Sequence, residues 1–279
     1  NLMGLSRLIP LCFLLFLVAL FFGFASGFPA DVLREQLVSE ISKQTGMEVS
    51  SDVLEIGFPP KVKLDLTVEL NHPQMAALVF PLVEVNPVWT SLFTSVQAAN
   101  IQGQLADGKI DAQVSADDSL QLAISGVRLA PLQKTGNPYR LDGVLRGDLD
   151  GKQMSQTGKA DAVFSAVVSN LEIFGLEQLS LPEKVVLGQL TAQGAIRGQR
   201  LNLEKIVLVG DFVSLNGNGT IQIGTTPQRT RLNLRVTATP GRSFPESLKP
   251  LIDLSGVKPK ADGSYQFRVS GTLGKPVIR

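Results

Sequence analysis

Past Gly46 the chain alternates apolar and polar residues with a period of two. The clearest run is Lys61 to Leu70, where Val62, Leu64, Leu66, Val68 and Leu70 alternate with Lys63, Asp65, Thr67 and Glu69. Successive side chains of a strand point to opposite faces, so this segment has one oily face and one wet face. The pattern recurs down the chain. Ile101, Gly103 and Leu105 lead into a turn at Asp107-Gly108, followed by Ile110, Ala112 and Val114. A second turn at Asp117-Asp118-Ser119 precedes Leu120, Leu122 and Ile124. Tyr139, Leu141, Gly143, Leu145, Gly147 and Leu149 alternate up to a turn at Asp150-Gly151. Then come Ala160 to Val168 through Phe164, Leu190 to Ile196, Leu201 and Leu203, Ile206 and Leu208, and a strand or two within Phe212 to Ile223. Leu232, Leu234, Val236 and Ala238 follow, a short helix over Pro245 to Leu251, and a last strand with Tyr265, Phe267 and Val269.

Turn signals separate about a dozen strands, and no helix long enough to cover a parallel sheet intervenes. The pattern predicts a mainly β protein built from a long antiparallel curved sheet, either an open trough or a closed β-sandwich. Oily positions are mostly aliphatic with many Ala and Gly, and aromatics are only 6% of the chain. A sandwich core draws on large aromatic anchors, whereas a trough that leaves room for a ligand favours small side chains. The candidate apolar groove is lined by Val62, Leu64, Leu66, Val68, Leu70, Leu105, Ile110, Val114, Leu122, Ile124, Leu141, Leu145, Phe164, Val168, Leu190, Ile196, Leu203, Leu208, Leu234, Val236, Phe267 and Val269.

Before Gly46 the pattern differs. The 23 residues from Leu8 to Ala30 carry no charge and are framed by Arg7 and Asp31. As a helix they span roughly 35 Å, enough for a hydrocarbon core. Leu8, Leu11, Phe13, Leu14, Leu15, Phe16, Leu17, Val18, Leu20, Phe21, Phe22 and Phe24 form the expected membrane anchor. Arg7 on the near side places the N-terminus in the cytoplasm and the body across the membrane. A cleaved signal peptide processed at Ala25-Ser26-Gly27 is the alternative. Val32, Leu33, Leu37, Val38 and Ile41 then recur at helical spacing, with Gly46 as a stop. The expected organisation is a cytoplasmic tip and anchor at 1–30, a membrane-proximal helix at 31–46 and a β domain at 47–279.

Composition then removes whole classes of chemistry. One His and one Cys serve the 279 residues, so a His-centred triad would have to use His72, which stands in the turn Asn71-His72-Pro73. Cys12 lies inside the apolar span and reads as a filler. Beyond Arg7 the basic and acidic residues balance at 25 each, which does not fit a nucleic-acid binder with a basic face. Asp148 and Asp150 before Gly151 faintly echo a calcium loop but lack its later ligands. Gly217-Asn218-Gly219 has no phosphate-loop Lys and reads as a strand bend. We expect no enzyme, no metal and no cofactor.

Several stretches together resemble the type II secretion system protein N family, which is related to the AsmA-like proteins. They are Phe28-Pro29-Ala30-Asp31-Val32-Leu33 after the apolar span, Ile41 to Val49, Leu181-Pro182 with Leu187-Gly188-Gln189-Leu190, Leu201-Asn202-Leu203, and Tyr265 to Pro276. The resemblance implies a single-pass bacterial inner-membrane protein with a periplasmic body. It implies a non-enzymatic part of the secretion machine, docking on other type II secretion components. For the AsmA-like relatives it implies a β-trough that handles lipid between inner and outer membranes. The expected partners are the lipid bilayer, secretion components and phospholipid in the groove. The groove needs no polar contact to hold an acyl chain, since each buried CH₂ contributes about 0.8 kcal/mol.

Overall fold

The computed structural model describes residues 30–45, 47–57, 61–70, 74–88, 90–91, 96–154, 158–177, 181–224, 228–248 and 257–279. The anchor positions 1–29, Cys12 and His72 lie outside them. Among the described residues no helix is long and apolar enough to cross a membrane.

Helix α1, Ala30–Thr45, opens the described chain. The strands are β1 Glu48–Ser50, β2 Leu54–Gly57, β3 Lys61–Glu69, β4 Leu78–Pro87, β5 Ala98–Leu105, β6 Gly108–Ser115, β7 Ser119–Arg128 and β8 Arg140–Lys152. They continue with β9 Asp161–Phe174, β10 Lys184–Arg197, β11 Arg200–Val209, β12 Val213–Gln222, β13 Arg231–Pro240, β14 Tyr265–Thr272 and β15 Lys275–Ile278. All belong to one open antiparallel sheet in which spatial order follows chain order, with β1 and β2 sharing one edge of β3. Every extensive contact between elements joins sheet neighbours, apart from α1 against β1 and β2 and a 3-10 turn, Ala130–Leu132, against β8. The closed β-sandwich is thereby set aside.

Directly opposed residues of an antiparallel pair share a face. The registers carry one apolar row from Val62 through Val85, Ile101, Ala112, Leu122, Leu149, Phe164, Gly194, Leu203, Gly219 and Leu234 to Val269. A parallel row runs from Leu64 through Val83, Gly103, Ile110, Ile124, Gly147, Ala166, Ala192, Ile206, Gly217 and Val236 to Phe267.

The apolar spacing is not always two. Phe80 to Val83, Ile124 to Val127, Val168 to Leu171 and Leu203 to Ile206 are three apart. At each the register shifts, so the extra residue is absorbed as a β-bulge. Without the bulge, every later side chain on the strand would change face.

Some local readings need correction. The β5–β6 hairpin turns on Ala106 and Asp107, at φ 45 and 68, not on Asp107-Gly108. Gly108 begins β6, and a Cβ there would collide with the Val127 backbone, so the glycine serves packing. Asp150-Gly151 is no turn either, because β8 runs on to Lys152 and Gly151 pairs with Leu120 and Ala162. Phe212 to Ile223 holds one strand, β12. Of the helix expected over Pro245 to Leu251, a 3-10 turn at Glu246–Leu248 is described. Strand β4 escapes the alternation pattern because Pro81 and its bulge interrupt it, and β15 is too short to show a period.

The sheet's first edge is built around Asp65. Three residues, 51–53, stand between the paired positions Ser50 and Leu54, while Asp65 and Leu66 alone stand opposite between Leu64 and Thr67. The Asp65 Oδ1 accepts from the Asp52 N–H at 2.9 Å, the Val53 N–H at 2.8 Å and the Ser51 hydroxyl at 3.1 Å. Arg34 of α1 donates to the Asp52 carbonyl at 2.7 Å, tying the helix to the same break. Desolvation of the carboxyl pushes its pKa up, but the hydrogen bonds from Val53, Asp52 and Ser51 outweigh this and hold it below the ordinary 3.8. A depressed pKa stabilises the fold above the unfolded value and loses that stabilisation as pH falls through the folded one. Amide exchange at Asp52 and Val53 should therefore stay protected from neutral pH down to the ordinary carboxylate range and be lost only below it. Asp65→Ala should remove the protection at all pH values and cost about 1–3 kcal/mol in chemical denaturation.

Candidate functional site

The register answers where the candidate groove residues lie. Val62, Leu64, Leu66, Val68, Leu105, Ile110, Val114, Leu122, Ile124, Leu145, Phe164, Val168, Leu190, Ile196, Leu203, Leu208, Leu234, Val236, Phe267 and Val269 fall on one face of the sheet. Leu141, beyond the bulge at Gly143, pairs with Ile173 and is 40% exposed. Leu70 lies just past the end of β3 and has no strand partner.

This face is not uniform. Towards one end Leu105, Val127, Leu145, Val168, Leu190, Leu208 and Leu215 form a row in which Val127 is 1% exposed. Val168, Leu171 and Leu208 pack there with Leu129 and Leu187 to make a small filled core. Leu105, Val168 and Leu208 thus belong to a packed end rather than an open lining. Leu64, which pairs with Leu54 of β2, is buried as well. The row of Ile101, Ala112, Leu122, Leu149, Phe164 and Leu203 is half-buried, and no second layer of described residues covers it.

Glycines are placed against large neighbours on this face. Gly147 stands opposite Ile124, Gly194 opposite Phe164 and Leu203, and Gly217 opposite Ile206 and Val236. A Cβ on Gly194 would collide with the Asn202 carbonyl oxygen, so this glycine is demanded by close strand approach.

The opposite face carries a feature that the alternation pattern does not reveal. A depression of about 850 Å³ crosses β5 to β11. Its lining comes in runs of three, such as Asn100–Gln102, Asp111–Gln113 and Asp148–Asp150, whose outer members face away from the apolar row. Amides and carboxylates line it, with Ala123, Val163 and Ser165 among them. Asp148 and Asp150 stand in its walls, in mid-strand. No group of three or more His, Cys, Asp or Glu among the described residues is placed to hold a metal ion. Gly217-Asn218-Gly219 is continuous strand, with Gly219 at φ 153.

Comparison with known protein families, with characterised proteins and with solved structures finds no match.

An uncovered face tolerates charge better than a core. Leu149→Asp should lower stability by about 1–2 kcal/mol in urea titration of the detergent-solubilised chain, against roughly 4 kcal/mol or more for a charge forced into a closed core. A loss of the larger size would mean that the face is covered in solution.

Proposed function

We propose that the protein is a non-enzymatic, membrane-anchored carrier that binds phospholipid acyl chains along the apolar face of its sheet. The reading places the anchor in the inner membrane of a bacterium and the β domain in the periplasm. The observation that carries it is the continuity of the apolar rows from β3 to β14, half-exposed in their middle and without a second layer among the described residues. Monomeric soluble proteins rarely leave so extended an apolar surface facing water. Acyl chains would cover it without any specific polar contact, which agrees with the lack of a polar constellation on that face.

Docking on type II secretion components is the second reading. The polar channel favours it, because amides and carboxylates on rigid strands suit a hydrogen-bonding protein partner. Strand addition at the sheet edges is a poorer route. Arg268 and Arg279 exchange both backbone hydrogen bonds, at 2.7 and 3.0 Å. By alternation, Pro276 and Ile278 turn their backbone outward, and Pro276 has no N–H to offer. At the other edge α1 and the break at Asp65 interrupt the ladder.

Neighbouring residues on opposite faces provide the test. A benzophenone side chain at Ala192, on the apolar face, should cross-link to phospholipid in cells and shift the protein's intact mass by one lipid. The same group at Gln193, on the polar face, should not. Equal labelling at both sites, or at neither, would reject the carrier reading. Capture of a secretion component at Gln193 alone would favour docking.

A further inference from the structure

We propose that the cavity between the 130–138 loop and the first residues of β8 binds a phosphate group, either free or as the phosphodiester of a lipid head group. The cavity is about 410 Å³ and lies at one end of the sheet, away from the polar channel. Lys134 and Arg140 are its charged lining residues, and no carboxylate lines it. The nearest acids on the same strands are already engaged. Asp142 lies 3.4 Å from Arg128, and Glu172 lies 3.0 Å from Lys184. Among the described residues neither Lys134 nor Arg140 makes a side-chain ion pair. Two cations thus share a cavity that no carboxylate lines.

The walls are fastened in place. Arg140 holds its guanidinium 4.7 Å from the centre of the Phe174 ring. A guanidinium held over a ring can still turn N–H donors toward an oxyanion. The loop bearing Lys134 is held at several points. The Lys134 N–H donates to the Gln74 carbonyl at 3.0 Å, and Asn137 Nδ2 donates to the same oxygen at 2.9 Å. Gln133 clamps the start of β8, accepting from the Leu141 N–H at 2.8 Å and donating to the Leu141 carbonyl at 2.6 Å. Gly175, at φ 87, lets the Pro138 carbonyl approach where a Cβ would collide with it. A site prepared in this way spends little ordering entropy on binding. At the same end of the sheet Tyr139 is 47% exposed and Leu141 40%, so apolar surface adjoins the cations as a lipid interface requires.

The inference does not depend on what covers the apolar face. Its test uses two probes without acyl chains, inorganic phosphate and glycerophosphoglycerol, the deacylated diester head group. Binding to the full chain in dodecyl maltoside micelles is followed by ³¹P line broadening and calorimetry. The wild-type chain should bind at least one probe. Lys134→Gln with Arg140→Gln should weaken that binding tenfold or more, while Lys109→Gln, a cation outside the cavity, should leave it unchanged. Tighter binding of the diester assigns the site to a lipid head group, and tighter binding of inorganic phosphate assigns it to the free anion. Should the double variant fail to fold, Lys134→Gln alone, on the exposed loop, should still weaken binding several-fold. No binding of either probe by the wild type, or undiminished binding by a folded variant, overturns the proposal. Failure here would leave the acyl-chain reading standing, because neither probe can report on it.

Discussion

One constraint governs this sheet: a single face must stay apolar while the chain reverses direction at each hairpin. A one-residue slip anywhere would send a strand's oily side chains into water and its polar ones to the other side. Each interior strand faces this requirement through two neighbours at once. The bulges between β3 and β4, β7 and β8, β9 and β10, and β11 and β12 are the means by which odd spacings are reconciled with it. A bulge also bends its strand and increases local twist, so the residues that preserve the face also bend the sheet away from a plane.

The same constraint explains the size gradient of the lining. Side chains that meet across adjacent strands compete for room where backbones approach closely. Gly147, Gly194 and Gly217 sit beside Ile124, Phe164 and Val236. At Leu145, Val168, Leu190, Leu208 and Leu215 the face fills itself and becomes a core, with Gly143 and Gly188 leaving room for Val168 and Leu171. The apolar surface thus passes from packed to open without leaving the sheet.

Much of this was legible in the sequence because a half-buried strand writes its geometry as period two. Val62 to Val68 on β3 and Leu232 to Ala238 on β13 needed nothing else. Legibility failed where a second demand overrode the period. Pro81 hid β4, and Gly151 imitated a turn while serving as a small strand residue. Gly108 reads as turn chemistry, yet Ala106 and Asp107 carry the positive φ values. The polar channel and the cavity around Lys134 and Arg140 were unreadable for another reason. They assemble from strands and loops far apart in the chain, and nothing in local spacing announces which carboxylates are already engaged elsewhere.

Strand order that follows chain order has an evolutionary corollary. From β3 onward each strand pairs with its chain neighbours, so a two-strand unit added or removed beyond β8, clear of the bonds between Gln74 and the 130–138 loop, leaves the remaining strand pairings intact. Reach along the sheet's long axis is then adjustable in steps of about 10 Å, twice the interstrand distance. A lineage could match such a structure to gaps of different width by copying hairpins rather than inventing a new architecture.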